Sequence, residues 1–329
     1  MHKDSVIENI RRAIESNSLN FLIGAGFSKN VSEKFPTWGE LMRPMAEMLY
    51  EHSLSCDTEA REKELDGIIK EKGYLSIASE FVRRNGYHAC IDLFVEKNIP
   101  YLVKKEDGSY LLERDGIVID ENPDMRCHEA LMGLKADNIF TFNYDNALDI
   151  VGETDGTAEK YRNLKKVNEE LCCLCSDTEI SKKECERDYW DAKINENYQL
   201  ILNSYDLALV ERRKNIYKLH GNLRKDRSTE SFGFDGDRHK HYIIAQEDYD
   251  EYPVKHEAFV NFMKVSLLKG CFCLLGFGGD DPNFLMWIKW VKDVLDKNPE
   301  PEKRLPIYFV YAGNDKFPEE KISEEKRIL

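Results

Sequence analysis

The chain has no long apolar run. Its first residues lack the hydrophobic stretch of a secretion signal, and no segment approaches the roughly 20 apolar residues of a membrane helix. The nearest candidate, Val265 to Phe277, is too short, is broken by Lys269 and contains glycine. An excess of positive charge is also missing: the formal net charge is -14 over 329 residues. That balance argues against a broad nucleic-acid footprint, so direct nucleic-acid binding is not expected. The 9 cysteines lack the spacing of a disulfide framework and read as reduced thiols of a cytoplasmic protein. No internal repeat is evident.

What remains is a composition able to build a substantial core, with 42% hydrophobic and 33% charged residues in one large domain or two unequal ones. The densest basic stretch is Arg212, Arg213, Lys214, Lys218, Arg224, Lys225 and Arg227. It reads as a solvated face beside a strand, with a phosphate or partner contact as the alternative.

Four separated segments carry the chemistry: Asn20 to Ser28, Ile139 to Asp145, Tyr217 to Asn222 and Leu274 to Asn283. In three of them an apolar stretch of strand length runs into small or polar residues, as at the carboxyl edge of an α/β sheet. The pattern predicts a helix over Asp4 to Glu15, with Ile7, Ile10, Arg11 and Ile14 on one flank, then a buried strand over Leu19 to Ile23. Thr37 is a candidate helix cap with Glu40 three residues on, ahead of a stripe of Leu41, Met45, Met48 and Leu49. Two insertions are expected, both mainly helical. The first spans about 51–134 and holds a small irregular or hairpin element near Leu102 to Ile119; the second spans about 152–215. Strands follow at Ile139 to Thr141, Tyr217 to Leu219, Cys271 to Leu275 and Ile307 to Tyr311. An exposed loop or hairpin is expected over Asp226 to His241 and one helix over Asp248 to Lys269, with Phe259, Phe262, Met263 and Leu267 inward. Residues 1–317 are read as one domain and 318–329 as a tail or linker.

Each segment has two readings when taken alone. Gly24-Ala25-Gly26 after a strand can bring backbone amides to a pyrophosphate, or make an ordinary tight turn. It lacks the third glycine and downstream acid of the common hydride-transfer fingerprint. Ser28 either donates to a phosphate or caps the next turn. Asn143 and Asp145 can orient ribose hydroxyls, a water or a carboxamide, or form an Asx turn. His220 can take a proton from a sugar hydroxyl, or sit in the core bonded to backbone. Gly276, Phe277 and Gly278 allow close approach of a ligand, and Asp281-Pro282-Asn283 caps a helix. Asn314 and Asp315 follow the last strand and face either an adenosine or nothing but their own turn.

In this order the segments resemble the sirtuin family, and more closely its bacterial branch of sirtuin-like immune NAD hydrolases. The resemblance implies a Rossmann-like parallel sheet flanked by helices. It implies that Gly24, Ala25, Gly26 and Ser28 hold the dinucleotide phosphates and that Asn143 and Asp145 lie near the nicotinamide ribose and carboxamide. It makes His220 the catalytic histidine, puts Gly276, Phe277 and Gly278 on the adenosine side, and matches Asn314 and Asp315 more weakly. Thr37-Trp38, Asp248-Tyr249 and Asp281-Pro282-Asn283 resemble the bacterial branch more than the protein deacylases. One departure stands out: deacylating sirtuins carry two Cys-x-x-Cys pairs after the catalytic histidine, and here no cysteine lies between His220 and Gly270. Cys172, Cys173, Cys175 and Cys185 lie upstream, without a second pair, so neither a zinc ribbon nor any bound metal is expected.

The implied reaction is hydrolysis of NAD, as substrate, to nicotinamide and ADP-ribose, with Asn143 positioning ribose and water and His220 holding a ribose hydroxyl or its proton. The implied setting is anti-phage immunity, in a homo-oligomer gated by a sensor or partner module. The competing readings are an NAD-dependent deacylase or ADP-ribosyltransferase, and a nucleotide-binding module without catalysis.

Overall fold

The computed structural model describes residues 3–85, 89–134, 136, 138–151, 198–202, 206–209, 214–223, 242–297 and 307–310. The predicted loop over Asp226 to His241, the cysteines from Cys172 to Cys185, Asn314, Asp315 and the tail lie outside these residues.

The chain opens with α1 (Lys3–Glu15), β1 (Leu19–Ile23), the short α2 (Ala25–Ser28) and α3 (Trp38–Tyr50). All five residues of β1 are buried, the signature of a strand covered on both faces. The capping box at α3 is present: Thr37 accepts from the Glu40 amide, and the Glu40 carboxylate accepts from the Thr37 amide at 2.7 Å. Met48 is exposed, and Met42 takes its place with Leu41, Met45, Ala46 and Leu49 on the inner face. Next come α4 (Thr58–Lys72), α5 (Tyr74–Asn85) and α6 (Ala89–Asn98), which complete a helical layer around one apolar cluster. The small predicted hairpin is a three-stranded antiparallel sheet of β2 (Tyr101–Lys104), β3 (Tyr110–Arg114) and β4 (Ile117–Asp120). The chain then returns through α7 (Arg126–Gly133) to β5 (Asn138–Thr141) and α8 (Ala147–Val151).

The second insertion contains an element that polarity concealed, β6 (Tyr198–Ile201), whose four residues are all buried. β7 is Lys214–Lys218, beginning three residues before the predicted strand. The helix expected over Asp248 to Lys269 is two helices, α9 (Gln246–Lys255) and α10 (Glu257–Lys269), separated at His256. Pro253 is accommodated inside the first of the two, and the Tyr252 hydroxyl beside it donates to the Leu219 carbonyl at 2.8 Å. β8 (Cys271–Leu275), α11 (Pro282–Leu295) and β9 (Ile307–Val310) complete the described elements.

Six strands form one parallel sheet in the order β6-β7-β5-β1-β8-β9. Alternate residues supply two cores. Leu22, Phe140, Tyr217, Phe272 and Leu274 pack with α10 and α11 on one side. Phe21, Ile23, Ile139, Ile216, Cys271 and Cys273 lie with the α1 residue Ala13 on the other. This is a Rossmann-like α/β sheet flanked by helices. From the central β1 the chain turns first to β5 on one side and only later to β8 on the other. The carboxyl ends around β1 therefore form the crevice where such sheets bind ligands.

At that edge the turns after β1 and β8 touch backbone to backbone. The Gly24 amide donates to the Leu275 carbonyl at 3.0 Å and the Gly26 amide to the Gly276 carbonyl at 2.9 Å. Gly276 has φ of 59°, and a Cβ there would lie 2.0 Å from the Phe27 amide nitrogen. By contrast, a Cβ on Gly278 would make only an ordinary 3.5 Å contact with Asp280. Gly276→Ala is therefore expected to cost about 2 kcal/mol or more, and Gly278→Ala to fall within about 0.5 kcal/mol of wild type. Urea unfolding of the two variants measures the difference; equal midpoints would contradict the packing role.

Candidate functional site

The register of β5 against β7 sets the geometry. Thr141 pairs with Lys218, and the Leu219 amide continues the ladder to the Thr141 carbonyl at 2.9 Å. Asn143 and His220 each lie two residues beyond that last pair, on adjacent strand ends. The Thr141 hydroxyl donates to the Ile23 carbonyl at 3.0 Å and accepts from the Asn143 amide at 3.0 Å, so the loop after β5 is pinned to the end of β1.

Three predicted site residues form one hydrogen-bonded set. The Asn143 carboxamide donates to the Ser28 hydroxyl at 3.0 Å, and that hydroxyl donates to Asp145 Oδ2 at 2.8 Å. All three are buried. The other Asp145 oxygen accepts from the Ala147 amide at 3.0 Å, so the Asx turn at the strand end is also present. The two Asp145 oxygens face different ways, one into the turn and the other toward Ser28. Ser28 reaches Asp145 across the crevice.

His220 packs against the residue that precedes Asn143. Its ring centroid lies 4.5 Å from Phe142, which lies 5.4 Å from Phe277. Phe277 in turn closes over Gly24, where a Cβ would stand 2.6 Å from the Phe277 Cα. Gly24, Ala25, Gly26, Ser28, Asn143, Asp145, His220, Gly276, Phe277 and Gly278 thus gather at one sheet edge. β8-side carbonyls occupy two of the turn's three amides, those of Gly24 and Gly26.

Burial reshapes the acid–base chemistry expected of His220. The side chain is buried, and this, with His256 nearby, pushes its pKa down to about 3. The ring is therefore neutral across the neutral range rather than poised near its reference value. Its Nε2 lies 3.8 Å from Asp281 Oδ2 and 3.5 Å from Asn283 Nδ2. Asp281 also caps α11 through the Phe284 amide at 3.0 Å and accepts from the Tyr249 hydroxyl at 2.9 Å. Burial raises the Asp281 pKa to about 6, against the pull of those hydrogen bonds. Sequence reasoning assigned Asp281 and Asn283 to a cap alone; the cap is real, and the same residues also meet the histidine.

Two further groups stand behind the loop. Lys218 belonged to the stretch read as a solvated face, yet its side chain is 1% exposed. Its ammonium lies 3.0 Å from Asp149 Oδ1 and donates to the Asp145 carbonyl. Burial pushes the Asp149 carboxyl up, while Lys218 pulls it down. Lys214 is likewise no free surface charge: its ammonium donates to the Leu134 carbonyl at 2.7 Å, just past the end of α7. The other members of the basic stretch lie outside the described residues. His128, which no sequence signal marked, is fully buried 4.6 Å from the Phe27 ring, and among the described residues neither ring nitrogen has a hydrogen-bond partner. Burial lowers its pKa to about 4, against the pull of Asp145.

No group of three or more His, Cys, Asp or Glu arranged to hold a metal occurs among the described residues. No helix among them is long and apolar enough to cross a membrane.

Removing Lys218 alone strands a buried carboxylate. Lys218→Met is expected to cost about 3–5 kcal/mol in urea unfolding, and Lys218→Met with Asp149→Leu to recover most of it. A double variant no more stable than the single one would contradict the pairing.

The two buried histidines also set a pH dependence. Between about pH 6.5 and 4 the unfolded chain protonates His128 and His220 while the folded chain leaves them neutral, so stability falls as pH falls. Asp281 acts oppositely: its raised pKa favours the folded state at low pH, and that contribution is lost as pH rises through about 6. Asp149, whose carboxyl burial also pushes up, acts in the same sense as Asp281, so the two carboxyls offset part of the histidine slope. His128→Leu is expected to flatten this slope in unfolding curves taken at several pH values; an unchanged slope would contradict the buried neutral state.

A SIR2-like domain model matches residues 137–329, which hold five of the six strands of this sheet, all but β1, and the loops after β5, β7 and β8. The chain is also 23% identical over 331 residues to Defense-associated sirtuin 2 of Bacillus subtilis, covering 95% of this chain and 24% of that protein. The chain thus spans about a quarter of the length of that relative. With the family model covering more than half of its residues, the chain belongs to the SIR2-like family.

Proposed function

We propose that this chain hydrolyses NAD to nicotinamide and ADP-ribose. The observation that carries the reading is the adjacency of Asn143 and His220 on neighbouring strand ends at the crevice, with Ser28 and Asp145 hydrogen-bonded beside Asn143. Membership of the SIR2-like family makes NAD the natural ligand. The donor set suits it: Ala25 and Ser28 for the diphosphate, Asn143 and Asp145 for ribose hydroxyls and the carboxamide, and Gly276, Phe277 and Gly278 beside the adenosine.

The bond to a cationic pyridinium breaks readily once an oxocarbenium-like sugar is stabilised and positioned. Asn143 orients the sugar face and the attacking water through its carboxamide. Asp145, held by Ser28, accepts from the nicotinamide amide. His220, neutral through burial, accepts from a ribose hydroxyl. The aromatic wall of Phe142 and Phe277 excludes bulk water from that face. The same reading takes 1–317 as one catalytic unit that binds no catalytic metal.

We further propose a regulated effector role in bacterial defence. Support comes from the 23% identical relative, whose name places it in defence and whose length extends well beyond the matched portion. On this reading a sensor module and self-association gate turnover, since free NAD hydrolysis is toxic to a cell.

Product analysis after NAD incubation at several protein concentrations tests the proposal. Equimolar nicotinamide and ADP-ribose are expected, with activity rising more steeply than protein concentration. Asn143→Ala and the volume-keeping His220→Gln are each expected to lower turnover about 100-fold or more while circular dichroism stays unchanged. Full nicotinamide release by either variant would contradict the assignment. O-acyl-ADP-ribose formed with an acylated peptide would favour deacylation, and tight NAD binding without turnover would favour a binding module.

A further inference from the structure

Resting on the hydrolase reading, we propose that Asp281 is a positioning residue for His220: its carboxylate holds the imidazole through Nε2 and balances the charge the ring acquires during the reaction. Four observations meet at this side chain. Asp281 Oδ2 is 3.8 Å from His220 Nε2, and Asn283, two residues on in the first turn of α11, approaches the same nitrogen at 3.5 Å. The Tyr249 hydroxyl donates to Asp281 Oδ2 at 2.9 Å, and the Phe284 amide donates to Oδ1 at 3.0 Å, so the carboxylate is fixed from two sides. The His220 and Asp281 side chains are only 3% and 10% exposed, so water screens the pair weakly. Finally, the Phe142 ring at 4.5 Å and the Tyr249 and Tyr252 rings at 5.3 and 5.8 Å surround the imidazole with aromatic walls that offer it no countercharge.

A buried imidazole without a countercharge is a poor proton acceptor, because desolvation opposes the imidazolium. Asp281 Oδ2, 3.8 Å from Nε2, is placed to offset that cost once the ring becomes charged. With Nε2 turned to the carboxylate, Nδ1 is left for the sugar. The ribose O–H bond breaks, an Nδ1–H bond forms, and the positive ring is paired with a negative carboxylate beside it. A base oriented by a third group is the arrangement that general-base sites on unrelated folds share. The groups facing Asp281 from other elements are His220, Tyr249 and Tyr252 from α9, and Tyr144 from the loop after β5. Burial pushes all three tyrosines well above their usual range, so they stay protonated. His256 is the other titratable ring felt by His220. Activity is accordingly expected to fall on acidification through about pH 6, as Asp281 protonates.

Asp281→Asn separates charge from structure. Asparagine caps a helix as well as aspartate does through its one oxygen, and its NH2 can donate to the Tyr249 hydroxyl oxygen, so folding is preserved while the charge is lost. The variant is expected to lose about 10- to 100-fold in kcat, with KM changed less than about 2-fold. The acid limb of the wild-type pH profile should disappear. In parallel, ¹⁵N NMR of the His220 ring reads the pairing without any substrate, and its nitrogen shifts are expected to differ between wild type and variant between pH 5 and 8. Identical His220 shifts in both proteins overturn the proposal, whether or not NAD is cleaved. A kcat loss that leaves the acid limb in place also overturns it, marking Asp281 as a cap only. Differing shifts in a wild type that never cleaves NAD would instead count against the hydrolase reading and leave the pairing supported.

Discussion

The parallel pairing of β5 with β7 is the constraint on which the site depends. Parallel strands in register deliver their carboxyl ends together, so a match of Thr141 to Lys218 necessarily brings the next residues of both strands to one edge. A slip of one residue would reverse which face each side chain meets, and Ile139, Phe140, Ile216 and Tyr217 are all buried too deeply to permit it. The apolar cores on the two sheet faces thereby decide where a carboxamide and an imidazole stand. The hydrogen bonds from Thr141 to Ile23 and from Asn143 to Ser28 then tie this pair of ends to the third strand, β1.

Charge inside the site is arranged by burial more than by exposed ion pairs. His220, His128, Asp149 and Asp281 all lie where water is scarce, and each has its charged form disfavoured for that reason. Lys218 offsets part of this cost for Asp149 and steadies the backbone of Asp145 at the same time. By contrast, pairs such as Lys63 with Glu59 on α4 are open to solvent and contribute little. The molecule is strongly acidic overall, yet the groups that shape the crevice are few and buried.

Much of this was legible in the sequence. Continuous apolar runs ending in glycine, asparagine or histidine announced β1, β5 and β8 and their edge, since buried parallel strands leave that trace. The caps at Thr37 and Asp281 were readable from local chemistry. What escaped depends on contacts distant in sequence. Lys218 looked like surface charge because its partner, Asp149, lies on another element. β6 hid within a polar insertion because four residues are too few to set a period. His128 had no local signal, and the second role of Asp281 appears only when α11 packs beside the end of β7. The glycine turn was read as a phosphate cradle, whereas its glycines first serve the close approach of two backbones.

The central claim is that Asn143 and His220 serve one sugar. A crystal structure of the Asn143→Ala protein with NAD bound tests it most directly. The account predicts the nicotinamide ribose between residue 143 and the His220 ring, with the diphosphate against Ala25 and Ser28. A ribose bound elsewhere, out of reach of His220, would contradict it.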